Sequence, residues 1–341
     1  MITSNRKIVA KDSITSANFR GDGKGGYLNP EQSKEFLRMM FDATDFLKDI
    51  QTFTMRAPTK DLDYMKLDSR IIRPGVEGVA PDEIFEIDTA KQTLTTTEVI
   101  LPFDITDNVL EDIIEGGNAD ENIAKMMTDQ FGNDLCDLSL NGDTSVTGGV
   151  TDEKFLKIGD GFVKIAKGSA DTHKFNTGGS TDYRGDVFPA LLAALPNRYK
   201  RRKSELRFYV SPSVSEAYIR QLAIRETKLG DESLVTGMAQ RFSGIQLFEC
   251  EFMPDDVLIL TSNKNLATGI FRDVKAERER SARERKTKYT VTMRLDPAKI
   301  IWHDALVIGY NISARPPVET APIKVEVTNI EDFPVGSGGG E

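Results

Sequence analysis

The sequence predicts an α+β fold, and three observations carry that prediction. An apolar stripe at helical spacing extends from Ile123 to Leu138. The segment from Gln51 to Leu101 is rich in β-prone residues and turn signals but has no helical period. From Leu206 to Leu260, short apolar strands flank a helix that opens at Pro212. One chain should therefore contain a long helix, a projecting β-segment and a compact α/β region.

The long helix is the element around which the other segments can be placed. Asn118 and Glu121 have the spacing of a capping box, and the helix should end near Leu140. At ~1.5 Å per residue it is ~34 Å long. Its charged residues fall mostly on other faces, so the stripe must pack on another element, and a sheet is expected. The stripe recurs at steps of four, four, four and three, through Ile123, Met127, Phe131, Leu135 and Leu138.

The segments before this helix are less regular. Met1 to Arg20 is polar and is predicted to be an extended arm. Gly21 to Gly26 formally matches the dinucleotide-binding fingerprint, but no strand precedes it, so a flexible glycine hinge is favoured over phosphate binding. A helix is predicted from Asn29-Pro30 towards Ile50. A short helix capped by Thr106 is expected just before the long one.

The segment from Gln51 to Leu101 is predicted to be two β-arms, Phe53 to Arg73 and Ile84 to Leu101, joined by turns at Pro74-Gly75 and Ala80-Pro81-Asp82. A bare two-stranded ribbon is marginal in water, and no nearby helix covers its apolar residues. We therefore expect these residues to contact a partner surface. The candidate contact residues are Leu62, Tyr64, Leu67, Ile71, Ile87 and Leu94.

The middle of the chain is predicted to be a compact α/β domain. Asp186 to Leu195 is an apolar helix stopped by Pro196, and Val257 to Leu260 is a buried strand. Between them lies the basic run Arg198 to Lys203. A nucleic-acid patch is one interpretation, but a solvated helix end and loop is favoured because the surrounding chain is acidic.

The segment from Lys275 to Lys288 is dense in both charges, and two structures remain open for it. On a helix, Glu279 with Arg283 and Arg280 with Glu284 would pair at four-residue spacing. On an edge hairpin, the same charges would meet a neighbouring subunit, which makes Arg280 and Arg283 candidate contact residues. The following stretch is predicted to form two strands, Tyr289 to Leu295 and Lys299 to Tyr310 with Trp302 inside the second.

Composition limits the function classes. The chain has 341 residues, enough for about two domains, and a net charge of −9, which disfavours a protein that coats nucleic acid by neutralising phosphates. No apolar run approaches the ~20 residues of a membrane span, and the N-terminus has no signal core. Two cysteines give neither a disulfide framework nor a metal spacing. A reduced, cytoplasmic place of synthesis is expected.

Residues with catalytic chemistry are sparse. His173 is placed in a polar loop, and His303 is interpreted as a satisfied strand histidine. No nucleophile elbow and no glycine-lysine phosphate loop occurs in the sequence. Among the carboxylates none is singled out by spacing as a catalytic dyad. We therefore expect a non-enzyme without a cofactor or a metal site.

The order of several short pieces resembles the Hong Kong 97-type fold of tailed-phage major capsid proteins, closest to those of temperate myoviruses. The resemblance extends from the N-terminal arm to about Ile312. Its pieces are Asp104-Ile105-Thr106 through Ile114, the capped helix ending at Leu140-Asn141-Gly142-Asp143-Thr144, Tyr209 to Ser213, Gly244-Ile245 with Met253-Pro254, Asn265 to Arg272, Arg294-Leu295-Asp296, and Asp304 to Val307.

The resemblance implies a division of the chain into named parts. These are an N-terminal arm and helix over 1–50, an extended β-hairpin E-loop over 51–101, a P-domain with the spine helix over 102–182, an α/β A-domain over 183–266, returning P-domain strands over 267–312, and a tail over 313–341. It further implies a bacteriophage structural protein that assembles with itself, as hexamers and pentamers, into an icosahedral capsid.

Other partners follow from the same resemblance. A scaffolding protein, a portal and packaged double-stranded DNA on the inner face, bound without sequence specificity, are implied, and no membrane is. The final location would be the virion, after synthesis in the bacterial cytoplasm. Two alternatives remain open: an encapsulin-like nanocompartment shell with a protein cargo, and a soluble carbohydrate-active or nucleotide-binding enzyme.

Overall fold

The computed structural model describes residues 30–66, 88–106, 119–148, 152–223, 241–271 and 274–313. The N-terminal arm, the glycine run 21–26, the short helix predicted after Thr106, the outer part of the predicted β-arms and the C-terminal tail lie outside these ranges. Within them the chain forms two larger sheets and a separate two-stranded hairpin.

A five-stranded sheet is built around one long strand. This strand, β12 (Lys286–Ile300), pairs along one side with β4 (Thr97–Thr106). Its other side pairs first with β11 (Lys275–Ser281), over residues 286–292, and then with β10 (Leu266–Phe271), over residues 295–300. The first strand of the described residues, β1 (Gln51–Met55), adds parallel to β10.

The predicted long helix is present over Ala119–Asn141, and we call it the spine helix. Leu135 and Leu138 of the predicted stripe are buried, whereas Met127 and Phe131 are half-buried. The partner differs from the expectation. The stripe packs on helix α1 (Pro30–Asp42) as well as on β12, so the sheet is only part of its cover.

The helix predicted towards Ile50 is broken in two. After α1, Thr44 adopts extended dihedrals, with φ −128° and ψ 138°, and α2 (Asp45–Asp49) starts behind it. The break turns Phe46 and Leu47 into the same core as Phe36 and Met40. Packing against that core therefore overrides the continuous helical pattern of the sequence.

A six-stranded sheet has the order β5-β13-β9-β6-β8-β7. Its strands are β5 (His173–Asn176), β6 (Leu206–Val210), β7 (Arg241–Phe242), β8 (Ile245–Glu249), β9 (Val257–Ser262) and β13 (Val307–Tyr310). The two strands at one edge of this sheet, β5 and β13, come from outside the 183–266 range predicted for this domain and pair parallel to each other.

Helices complete the α/β layer. They are α3 (Glu153–Leu156), α4 (Phe162–Gly168), α5 (Phe188–Ala194, preceded by a π-helical turn Tyr183–Val187), α6 (Asn197–Lys200) and α7 (Pro212–Ala223). The predicted helix before Pro196 and the helix opening at Pro212 are thus confirmed. The basic run falls on α6, the 3-10 turn Lys203–Glu205 and the residues between them.

The two faces of the six-stranded sheet belong to different cores. On β9, Val257 and Ile259 join the core that contains the spine helix and the five-stranded sheet. The alternate residues Leu258 and Leu260 join a second core with α5 and α7. Strand periodicity alone produces this division, because successive side chains point to opposite faces.

The C-terminal strands differ from the prediction. β12 continues through Pro297 to Ile300, and Trp302 and His303 lie in a turn that includes the 3-10 helix His303–Ala305. The proline is tolerated because the β10–β12 register shifts between Ala267 and Gly269, opposite it. His303 is therefore a turn residue, not a strand residue, and Trp302 is not within a strand.

Candidate functional site

The projecting β-segment is a hairpin that is shorter than predicted. β2 (Thr59–Lys66) pairs antiparallel with β3 (Asp88–Thr95), from Thr59 opposite Thr95 to Lys66 opposite Asp88. The flanking strands β1 and β4 belong to the five-stranded sheet instead. Phe53, Ile100 and Leu101 were predicted to lie in the arms and are sheet residues.

The base of the hairpin has cover within its own chain, contrary to the expectation. Leu94 is 0% exposed and Leu62 is 7% exposed, and both pack with the buried Met55. Tyr64 lies edge-on to Trp302, with ring centroids 5.5 Å apart. Leu62 and Leu94 therefore do not present free surface to a neighbour. The other candidates of this group, Leu67, Ile71 and Ile87, lie outside the described residues.

Polar contacts tie the same base to β12. The Asp296 carboxylate accepts the backbone N–H of Thr95 at 2.9 Å. Burial raises the pKa of Asp296, partly opposed by that hydrogen bond and by Lys299. Next to it, Arg294 forms an ion pair of 3.1 Å with Glu98. Both apolar and polar contacts thus fix the base of the hairpin to the sheet.

The charged segment is a hairpin, not a helix. β11 pairs with β12 from Lys275 opposite Thr292 to Ser281 opposite Lys286, and the turn between them contains Arg285 at φ 50°. The helical pairs Glu279–Arg283 and Arg280–Glu284 are therefore not formed. Among the described strands, β11 pairs only with β12, so it is an edge of the sheet.

The charges of this hairpin pair across the strands and the turn. Glu284 accepts ion pairs from Lys288 at 2.8 Å and Lys286 at 3.3 Å, and these hydrogen bonds lower the pKa of its carboxyl. Arg280 donates to the Thr287 hydroxyl at 3.4 Å. Both Arg280 and Arg283 are exposed, as a contact residue must be in an isolated subunit.

The groups with possible catalytic chemistry are buried or half-buried. His173 begins β5, contrary to the predicted loop, and its Nε2 is buried with no hydrogen-bond partner among the described residues. Burial lowers the pKa of His303, whose Nδ1 lies 3.5 Å from the Thr172 hydroxyl. Burial raises the pKa of the Cys136 thiol to about 12. Thiolate chemistry at Cys136 is therefore disfavoured at neutral pH.

Two further kinds of site are not found in the part of the chain that the structure describes. No group of three or more His, Cys, Asp or Glu side chains there has an arrangement that could hold a metal ion. Within the same ranges, no helix has the length and hydropathy of a membrane span.

Comparison with known proteins decides what this architecture is. No protein-family model matches the chain. The chain is 29% identical over 305 residues to YqbE of Bacillus subtilis (strain 168), assigned as a prophage capsid protein, with 86% of this chain and 94% of YqbE covered. A chain of the satellite phage P4 procapsid superposes with a TM-score of 0.61 at 13% identity, covering 82% of this chain and 99% of its own.

The capsid of the empty GTA particle gives a TM-score of 0.58 at 14% identity, over 79% of this chain and 90% of that one. The chain has the Hong Kong 97-type capsid fold. We use the name E-loop for the β2–β3 hairpin, P-domain for the spine helix with the five-stranded sheet, and A-domain for the six-stranded sheet with its helices.

Sequence reasoning missed the residues that fix the base of the E-loop. Met55, Phe271 and Trp302 pack against the hairpin or its base, and Asp296 holds its last strand residue. None of these has a motif. The one available signal was Asp296-Pro297 inside a strand-like run, where an acidic residue and a proline interrupt an otherwise alternating pattern.

Proposed function

We propose that this chain is the major capsid protein of a tailed bacteriophage or prophage, and that many copies assemble into an icosahedral shell around double-stranded DNA. The observation that carries the proposal is the similarity to YqbE over 94% of that protein's length. The fold agrees, because the solved structures that share it are subunits of assembled shells. The role is structural, not enzymatic.

The shell would be built from hexamers and pentamers of this chain. Its further partners would be a scaffolding protein, a portal and the packaged DNA, which the inner face meets without reading its sequence. We place the mature protein in the virion and its synthesis in the bacterial cytoplasm. The domain limits proposed from the sequence apply with two changes: β1 and β4 belong to the sheet of the P-domain, and β5 and β13 are added to the sheet of the A-domain.

The proposed subunit contacts are the outer E-loop and the charged hairpin. Leu67, Ile71 and Ile87 remain candidates in the E-loop, and Tyr64, half-buried on Trp302, keeps a surface for a neighbour. Arg280 and Arg283 are the candidates in the charged hairpin. Leu62 and Leu94 would act indirectly, by fixing the base from which the E-loop projects.

Electron microscopy and sedimentation of the purified full-length chain test this function. Closed shells, or rings of five or six copies, are expected at high protein concentration. A monomer that stays monomeric at every concentration would overturn the proposal. Nuclease treatment followed by extraction separates the encapsulin-like alternative, because a phage shell protects DNA whereas a nanocompartment contains a protein cargo.

A further inference from the structure

The A-domain sheet has one end that carries exposed cations. β6 begins at this end and β9 finishes there, so Leu206 lies opposite Ser262. Around them is a cavity of about 490 Å³, lined among others by Arg198, Arg201, Arg202 and Lys264. We call this the basic end. Its cations are Arg198, Lys200, Arg201, Arg202, Lys203 and Lys264, of which all but Lys200 are exposed.

The carboxylates at the basic end only partly neutralise these cations. Glu205 lies 3.4 Å from Lys264 and 3.9 Å from Arg202, and Asp304 pairs with Arg198. Asp171, which is exposed, precedes β5 at the same end. Arg201 makes no ion pair or hydrogen bond with the described part of the chain. A positive excess therefore remains.

The opposite end of the same sheet is acidic. β6 and β8 finish there, with Val210 opposite Glu249, and β9 begins there after the turn that contains Asp255 and Asp256. The exposed carboxylates of this acidic end are Asp182, Asp186, Glu249, Glu251, Asp255 and Asp256. Arg184, which is also exposed, lies among them.

The acidic end is not neutralised internally. None of its carboxylates forms an ion pair with the residues that the structure describes; their partners are neutral groups. Ser215 donates to Glu249 at 2.6 Å, Ser180 to Asp186 at 3.1 Å, and the Gly185 N–H to Asp182 at 2.7 Å. The Tyr183 hydroxyl donates to the Ser313 carbonyl at 3.0 Å, and the neighbouring Ile312 N–H donates to the Asp256 carbonyl at 3.1 Å, so the Asp182 segment lies beside the turn of Asp255 and Asp256.

We propose that the basic end of one A-domain docks on the acidic end of the next copy of this chain around a ring. This inference rests on the proposed function and names the surfaces that build its rings. A closed ring with rotational symmetry needs two different, complementary patches on each subunit. The two ends of one short sheet supply them on opposite sides of the domain, roughly 15 Å apart at ~3.3 Å per strand residue.

The partner is a second copy, not the DNA backbone, for two reasons. Glu205 and Asp304 lie inside the basic end and would repel phosphates. Mixed charges instead suit a protein surface such as the acidic end, which carries the cation Arg184 among its carboxylates. The acidic end needs a positive partner, which DNA cannot supply. One contact between copies satisfies both ends.

Charge reversal tests the proposal on the full-length chain. The variant Arg201→Glu/Arg202→Glu and the variant Asp255→Lys/Asp256→Lys should each lower the yield of rings and shells about tenfold or more, because like charges then face each other. The chain that carries all four substitutions should recover most of the yield, because every interface again joins opposite charges. Sedimentation gives the yield, and thermal unfolding confirms that each variant is folded.

The matched control separates complementarity from net charge. Arg201→Glu/Arg202→Glu combined with Asp42→Lys/Asp45→Lys, at two exposed carboxylates outside both ends, restores the net charge without restoring the contact, so its yield should stay low. If the four-substitution chain stays dispersed while folded, or if the control recovers equally, the proposal is overturned. If Arg201→Glu/Arg202→Glu forms normal shells but protects less DNA, the basic end faces DNA and the docking proposal is wrong. Failure of the unmodified chain to form shells would instead overturn the proposed function.

Discussion

The Asp296 carboxylate accepts the backbone N–H of Thr95 at 2.9 Å, across 201 positions of sequence. Thr95 is the last residue of the E-loop hairpin and Asp296 lies near the far end of the longest P-domain strand. This contact fixes where the projecting hairpin leaves the sheet. Because Asp296 is largely removed from water, its charge is costly, and the contact is sensitive to pH.

Substitutions at Asp296 should change how the free energy of unfolding depends on pH. The pKa of Asp296 is raised in the folded chain, so between its ordinary value and the raised value the folded state holds a proton that the unfolded state releases. The free energy of unfolding therefore falls as pH rises through this window. Asp296→Asn keeps an oxygen acceptor for Thr95 and should remove the fall, whereas Asp296→Ala should be about 1 kcal/mol less stable than Asn. Denaturant titrations of unassembled protein between about pH 4 and pH 7 measure both effects. Parallel pH dependence of Asp296→Asn and the unmodified chain would contradict the assignment.

Gly132 in the spine helix should not tolerate alanine, although alanine is the better helix former. A Cβ at this position would lie 2.3 Å from the Met40 carbonyl oxygen and 2.6 Å from the Ala43 Cβ, so α1 would have to move away. We expect the steric clash to lower the free energy of unfolding by about 1–3 kcal/mol, whereas the higher helix propensity of alanine would raise it by only about 1 kcal/mol. Gly168→Ala is the control, because a Cβ there meets nothing within 4 Å. Equal stabilities of the two variants in a urea titration would refute the close helix contact.

Along the spine helix, the cost of truncation should follow burial. Leu138 is 2% exposed, Phe131 is half-buried against Phe36, and Met126 is 58% exposed. Leu138→Ala should cost about 2–5 kcal/mol, Phe131→Ala less than the 3–5 kcal/mol of a fully buried phenylalanine, and Met126→Ala under about 0.5 kcal/mol. Denaturant midpoints of the unassembled variants test this order. A large loss for Met126→Ala would mean that the helix is rotated.

Reversing the charges of the β11–β12 hairpin should impair assembly more than subunit stability. Arg280 and Arg283 are exposed, so Arg280→Glu/Arg283→Glu costs about 0–1 kcal/mol within one subunit. A shell repeats the change in every copy, and the sedimenting shell fraction should fall severalfold. Lys154→Glu/Lys167→Glu on the exposed sides of α3 and α4 changes the net charge equally and is the control. Unchanged shell yield would remove this hairpin from the contacts.

Shortening the outer E-loop, while keeping the base that packs on the sheet, should separate folding from assembly. Replacing residues 67–87 with a short Gly/Ser linker keeps Leu62, Leu94 and the Asp296 contact, and it leaves β4 intact. Cooperative thermal unfolding should persist, and closed shells should be lost in electron micrographs of the same sample. A wider replacement from Lys60 to Glu98 would also remove Leu94 and the start of β4, so it would confound the two effects. Normal shells from the shortened chain would show that the outer E-loop is not a contact.

The fold was predictable where local patterns are strong. The capped apolar stripe located the spine helix, and alternating residues located β6 and β9. The charged segment was ambiguous because four-residue charge spacing fits both a helix and a turn-linked hairpin. Its pairing with β12, which is set by contacts with the rest of the sheet, decides between them. The break at Thr44 likewise depends on the core that receives Phe46.

The candidate site was predictable only in part for a related reason. Sequence patterns showed that the E-loop carries apolar residues, but its cover comes from Trp302 and Phe271, which are distant in the chain. Non-local contacts of this kind leave no periodic signal near the residues they bury. The argument that Leu62 and Leu94 need a neighbouring subunit therefore failed, while the exposure of Arg280 and Arg283 agrees with the hairpin interpretation.

The six-stranded sheet, with one core on each face, makes the A-domain dependent on its neighbour. Tyr209, Ile259 and Ile308 point into the core of the P-domain, and the Tyr209 hydroxyl donates to Asp49 at 2.7 Å. Excised from the chain, this domain would expose to solvent the apolar side chains that now pack against the P-domain. The names P and A thus mark regions of a shell subunit and not modules that evolution or an engineer could exchange separately. Any chimaeric protein that keeps this sheet must also keep the residues that pack against both of its faces.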